Sequence, residues 1–222
     1  MSAERTVVGR RLPRVDAMLQ TTGQLLYADD LNPPGTLVGR QLRSPHAHAL
    51  IHRIDTARAA ALPGVKAVIT GSDLPITFGI LPVSQDEHAL ALNKVRHIGE
   101  PVAAVAATDA ETAQRALALI DVHYELLPEI VTLEQALADD QPLIHGDGTG
   151  QNIDRTAALE FGDVDEGFAA ADHTREDVYL FGGNTHAALE THAALATYGA
   201  DGKLTLWSST QVPHYVHRTL AK

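Results

Sequence analysis

Two histidines and a glutamate stand close together near the end of the chain, in "GGNTHAALETHAALATY": His186, Glu190 and His192. These residue types ligate zinc, but a metalloprotease helix needs two histidines four apart with the glutamate beside the first. His186 and His192 are six apart, about 600° around a helix, so they would face well away from each other. His186 and Glu190 could share a helical face, yet two ligands do not complete a tetrahedral site. A second group is "SPHAHALIH", in which His46, His48 and His52 would share one face of a strand. No carboxylate partner can be placed beside them from sequence, so a surface cluster next to a turn is expected. His214 and His217, three apart, are expected on a solvated or interface face of a terminal helix. There is no Gly-x-Ser-x-Gly elbow, and no cysteine is present to act as nucleophile.

The elements that position these residues follow from periodicity. "TLVGRQLRSPHAHALIHRID" alternates apolar and polar residues on both sides of Ser44-Pro45 and predicts two strands around a turn. "TARAAALPG" predicts a short helix and "VKAVITG" a strand. "EPVAAVAA", "TDAETAQRALALI" and "DVHYELLP" predict strand, helix and strand, a compact α/β unit. Thr108 is the expected N-cap, with Glu111 completing a capping box. "LEQALA" predicts one more short helix. "QPLIHGDGTGQNIDR" is a boundary rich in turn-formers. Its "GDGTG" lacks the leading strand and the Lys-Ser/Thr of a phosphate loop. Beyond it, "AALEFGDVDEGFAAADHTREDVYLF" predicts strand, short helix, strand. "AALATYGADGKLTLWSST" predicts a hairpin turning at Ala200-Asp201-Gly202. "HYVHRTLAK" opens a helix that runs to Leu220-Ala221-Lys222 without a C-cap, as expected for a piece of a longer design.

Composition narrows the function. At 222 residues, with 45% hydrophobic and 20% charged residues, the chain can bury real cores and reads as soluble and globular. A formal charge of −11 argues against a sequence-independent grip on nucleic acid. No apolar run is long enough for a membrane span. Arg10-Arg11 is followed by polar sequence, not the apolar core of an export signal. The absence of cysteine excludes disulfides and any iron–sulfur cluster held by this chain, and a cytoplasmic location is the simpler expectation.

The segments "GQLLYADDLNPPGTLVGRQLRSPHAHALIHRIDTARAAALPGVKAVITGSDLP" and "KVRHIGEPVAAVAATDAETAQRALALIDVHYELLP" resemble the large subunit of molybdenum hydroxylases, the xanthine dehydrogenase and aldehyde oxidase family. So do "FGDVDEGFAAADHTREDVY", "HAALETHAALATY" and "LTLWSSTQVPHYVHRTLAK". The resemblance implies an α/β (α+β) fold in three parts. Residues 1–20 are an extended lead-in, 21–140 a hammerhead-type domain, and 141–222 the incomplete start of a molybdopterin-binding domain. It implies that "HAALETH" is structural and that the pterin's sulfurs, not protein thiolates, hold molybdenum. The family's glutamine that hydrogen-bonds an oxygen on molybdenum corresponds to Gln211, the cofactor-binding residue expected here. A neutral amide suits such tuning because it donates without adding charge. No catalytic residue and no protein metal ligand is expected within this chain. The family's glycine-rich loop and general-base glutamate fall beyond Lys222, so the chain alone is expected to be inert. FAD and iron–sulfur clusters are expected on partner subunits, and the remainder of the molybdopterin-binding subunit is a further expected partner. "FGILPVSQDEHALALNKVRHIGEPVAAVAA" and "SSTQVPHYVH" are most similar to the α subunit of 4-hydroxybenzoyl-CoA reductase. That implies reductive removal of a phenolic hydroxyl from an aromatic acyl-CoA. The rival expectations are hydroxylation of an aldehyde or N-heterocycle on the same scaffold, and a non-catalytic hammerhead-like binding module.

Overall fold

A computed structural model describes residues 7–79, 85–145 and 150–221. Residues 80–84, inside the stretch similar to 4-hydroxybenzoyl-CoA reductase, and most of "GDGTG" lie outside these described residues. The chain forms two compact units. Gly35–Gly183 is one, and the residues up to Pro34 together with those from Asn184 form the other.

The first unit is built on two three-stranded antiparallel sheets. β1 (Val38–Arg43) and β3 (Val65–Thr70) flank β7 (Pro101–Ala107), while β6 (Lys94–Val95) and β8 (Asp121–Leu126) flank β2 (Ala49–Asp55). A further ribbon pairs β4 (Thr77–Phe78) with β5 (Glu87–His88). β7 is apolar along its length because it is central and covered on both faces. Its Ala103, Val105 and Ala107 meet Ala113, Ala116 and Leu117 of helix α3 (Ala110–Leu117), together with Ala59 of α2 (Ala57–Ala60). Alanines at these facing positions let the helix backbone approach the sheet. Val102 points the other way, into a second cluster with Ala49, Ala91 and Val95. Leu42, Ile54 and Val122 pack against both clusters and join them.

The predicted strand–helix–strand of residues 101–126 forms, with its cap displaced by one residue. Asp109, not Thr108, is the N-cap, accepting from the Thr112 N–H at 2.7 Å and from the Thr112 hydroxyl at 2.8 Å. Thr108 instead donates its hydroxyl to that carboxylate. An ionised carboxylate is the stronger acceptor for the exposed N–H groups of a first turn. The same hydrogen bonds, led by the Thr112 N–H, hold the Asp109 carboxyl below its ordinary pKa.

β1 and β2 both form on either side of Ser44-Pro45, but they do not pair with each other. Ser44 donates its N–H to the Glu100 carbonyl and accepts from the Gly99 N–H, both at 2.8 Å. This ties the chain to the loop before β7 as it passes from one sheet to the other. Short helix α4 (Leu133–Leu137) follows, opened by a Thr132–Gln135 capping box. The expected strand–helix–strand after residue 156 is only partly present. Helix α5 (Val164–Ala170) forms, capped by Asp163. The flanking apolar runs have no ladder among the described residues, and Leu159, Phe161 and Val178–Phe181 are each more than four-fifths exposed. A strand is stable only with a neighbour to take its backbone bonds. The second unit holds the short helix α1 (Ala17–Thr21), the hairpin β9 (Ala194–Tyr198) and β10 (Leu204–Ser208), and helix α6 (Pro213–Leu220). No described helix is long and apolar enough to cross a membrane.

Candidate functional site

The β9–β10 hairpin and α6 build the site around Gln211. The strands pair in register from Leu204↔Tyr198 to Ser208↔Ala194. The turn lies where "GADG" predicts it: Gly202 sits at φ +76°, which favours glycine, and donates its N–H to the Gly199 carbonyl at 3.0 Å. From β10 the chain passes through Ser209, Thr210, Gln211 and Val212 into α6, which begins at Pro213, where a missing N–H costs nothing. The Thr210 hydroxyl accepts from the Val212 N–H at 3.1 Å, one of the donors a helix start leaves open. Gln211 is bracketed by that bond. Its side chain is exposed and makes no hydrogen bond among the described residues. Its amide is therefore not consumed in satisfying the strand end.

Beside this turn lies an apolar groove of about 350 Å³. Alternate residues Leu204, Leu206, Ser208 and Thr210 form one wall. Val216, His217 and Leu220, at helical spacing, form the other. His217 thus lines the groove, while His214 is exposed on another part of α6. Arg218 lies over the Tyr215 ring, 4.8 Å from its centre.

The remaining histidines do not assemble. Residues 184–190 are not helical, and Ala187 stands at φ +41°, so His186 and Glu190 share no helix face. His186, Glu190 and His192 are all exposed. The cluster at His46, His48 and His52 is dispersed because β2 begins only at Ala49. His46 meets the Tyr124 ring edge-on at 4.9 Å, and His52 reaches Glu125 at 2.6 Å. His48 is buried, contrary to the surface expectation, and its Nδ1 lies 2.8 Å from the Pro128 carbonyl. That oxygen can only accept, so Nδ1 carries the proton. The His48 carbonyl in turn accepts from the Leu127 N–H. His48 is a latch for the end of β8. Burial raises the phenol of nearby Tyr124 above its ordinary pKa, opposed by a hydrogen bond with Ser44. No group of three or more metal-ligating side chains occurs among the described residues.

One further cluster is assembled from residues whose spacing does not announce it. A cavity of about 430 Å³ in the first unit is lined by His88, Arg96, His97, Glu100 and the His145–Asp86 pair, which are 3.6 Å apart. Glu100 accepts from the Arg96 N–H, and its side chain lies 3.7 Å from the Arg96 guanidinium. The i,i+4 spacing in "RHIGE" was the available signal, but outside a helix that spacing does not promise contact.

Two family models match the chain in tandem. The aldehyde oxidase and xanthine dehydrogenase a/b hammerhead domain matches residues 22–128, and the molybdopterin cofactor-binding domain matches residues 144–222. The nicotinate dehydrogenase large molybdopterin subunit of Eubacterium barkeri is 38% identical over 217 residues, covering 97% of this chain and 50% of the relative. The xanthine dehydrogenase molybdenum-binding subunit of Escherichia coli O157:H7 is 34% identical over 223 residues, covering 94% and 29%. Quinoline 2-oxidoreductase from Pseudomonas putida 86 superposes with a TM-score of 0.83 at 32% identity, covering 95% of this chain and 28% of that one. The Cu,Mo-CO dehydrogenase gives a TM-score of 0.81 at 35% identity, covering 96% and 29%. The chain therefore spans half or less of the length of these relatives.

Proposed function

The chain belongs to the xanthine dehydrogenase and aldehyde oxidase family of molybdenum hydroxylases, with a hammerhead domain followed by the start of a molybdopterin-binding domain, and from that premise we propose that it serves as part of the molybdopterin-binding subunit of a molybdenum-dependent oxidoreductase. The tandem order of the two family matches carries this reading. We place the hammerhead part at residues 21–140, after a lead-in that ends in the short helix α1 rather than in the extended chain the sequence suggested, and the molybdopterin part from 141.

Gln211 is the residue assigned to the cofactor. Its exposed amide, without a hydrogen bond among the described residues and held between a strand end and a helix start, fits a donor to a bound group. When bound, the molybdenum cofactor supplies the redox chemistry. The part this chain plays is to hold a neutral donor at a fixed place, which tunes the cofactor without adding charge. A cysteine-free chain fits an assembly in which FAD and iron–sulfur clusters sit on partner subunits, in the cytoplasm.

For the substrate we assign an N-heterocycle, hydroxylated at carbon with water as oxygen source. The support is that relatives are named for nicotinate, xanthine and quinoline. The 4-hydroxybenzoyl-CoA reductase reading rests on local likeness alone, and none of the relatives above carries that name. The test is elemental analysis of the complex that co-purifies with this chain from its host, followed by dye-linked turnover of N-heterocycles and of 4-hydroxybenzoyl-CoA. Near-equimolar molybdenum with several irons, and oxidation of a heterocycle, is the expected result. Turnover of the acyl-CoA alone would reverse the substrate assignment, and a lone, metal-free chain would overturn the enzyme reading.

A further inference from the structure

An antiparallel ladder ends where two chains stop exchanging backbone bonds. After the last β9–β10 pair, Ser208↔Ala194, Ser209 still donates its N–H to the Ala193 carbonyl at 3.0 Å. The return bond does not reach backbone. The Ala193 N–H donates instead to the Ser209 hydroxyl oxygen at 2.8 Å, and that hydroxyl donates to the Ala193 carbonyl at 3.2 Å. A side-chain oxygen has taken the place of the Ser209 carbonyl. This frees the backbone to turn without leaving the part-buried Ala193 N–H unpaired. The turn follows at once, with the Thr210 N–H bonded to the Ser208 carbonyl at 2.9 Å and the Thr210 hydroxyl holding Val212. Gln211 stands between these two hydroxyl contacts.

We infer that Ser209 is a positioning residue for Gln211: its hydroxyl, by replacing a backbone carbonyl against Ala193, sets the direction in which Gln211 leaves the sheet toward the cofactor. The inference rests on the cofactor role proposed for Gln211. It also gives "HAALETHAALATY" a function, because Ala193 is the fixed point against which the glutamine is aimed. A hydroxyl that only ended a strand would affect stability and nothing at the metal.

The test uses the intact, molybdenum-loaded complex carrying Ser209→Ala, Ser209→Thr or Gln211→Ala. Each variant is assayed for molybdenum content, melting temperature and the Mo(V) electron paramagnetic resonance signal after partial reduction with dithionite. The expected result is that Gln211→Ala shifts the signal, Ser209→Ala shifts it in the same direction at unchanged molybdenum content, and Ser209→Thr, which keeps the hydroxyl, restores it. Should Ser209→Ala not fold, Ser209→Cys, which leaves a weaker acceptor in place, is read the same way. A wild-type signal in the Ser209 variant beside a shifted one in Gln211→Ala overturns the inference and leaves the cofactor role intact. A wild-type signal in Gln211→Ala overturns both.

Discussion

Val105 offers the sharpest test of how the first unit is held together. It lies on the central strand β7, 2% exposed, opposite Arg40 of β1 and Val68 of β3. Its cluster is made largely of alanines, Ala103, Ala107, Ala113 and Ala116. Val105→Ala removes two methyl groups, about 1.6 kcal/mol of transfer free energy at about 0.8 each. Alanines have no rotamers with which to refill the space, so the cavity remains. At about 24 cal/mol per Å³, a void of roughly 50 Å³ adds about 1 kcal/mol. The sum is about 2.5 kcal/mol, or a fall of about 5–10 °C in Tm for a unit of this size. The same change at Val178, 91% exposed, should cost less than about 0.5 kcal/mol. Urea unfolding followed by far-UV circular dichroism, with the slope m held constant, measures both. Equal losses in the two variants would refute the assignment of the core to β7 and α3.

Gly71→Ala should destabilise by about 2 kcal/mol or more, because the new Cβ would stand 2.5 Å from the Ala91 carbonyl and 2.8 Å from that of Leu90, backbone that cannot swing aside; a wild-type melting temperature would contradict that packing. The Asp109 cap contributes to acid stability with a definite sign. Its folded pKa lies below the ordinary value of an aspartate, so its contribution is present above the unfolded value and is lost as pH falls through the folded one. Asp109→Asn, which still caps the Thr112 N–H but carries no charge and does not titrate, should be less stable than the parent near neutrality and converge on it below about pH 4, with a shallower acid limb. An unchanged acid limb in a pH series of melts would exclude that role.

Much of the local structure was legible in the chain. "EPVAAVAA", "TDAETAQRALALI" and "DVHYELLP" declare strand, helix and strand because apolar spacing within a few residues decides which face can be buried. The turn at Gly202 was equally plain, since it depends on one residue's own backbone freedom, and the helix expected from His214 forms with Pro213 as its first residue. The shift of the cap from Thr108 to Asp109 was a contest between adjacent acceptors, which spacing cannot arbitrate. Gln211 could be singled out only through family likeness; nothing in its own neighbours distinguishes it from any polar residue after a strand.

What the sequence determined by itself, then, was the kind of element at each place and the family to which the pattern belongs, because both are carried by residue type and short spacing. Tertiary structure alone decided that β1 turns to β7 while β2 turns to β8, that His48 is buried as a latch, and that the apolar run Val178–Phe181 forms no strand. It also decided that the Ser209 hydroxyl closes on Ala193, across the hairpin. Those outcomes depend on partners distant along the chain, and a strand or a polar group takes its final state from the partner that satisfies its hydrogen bonds.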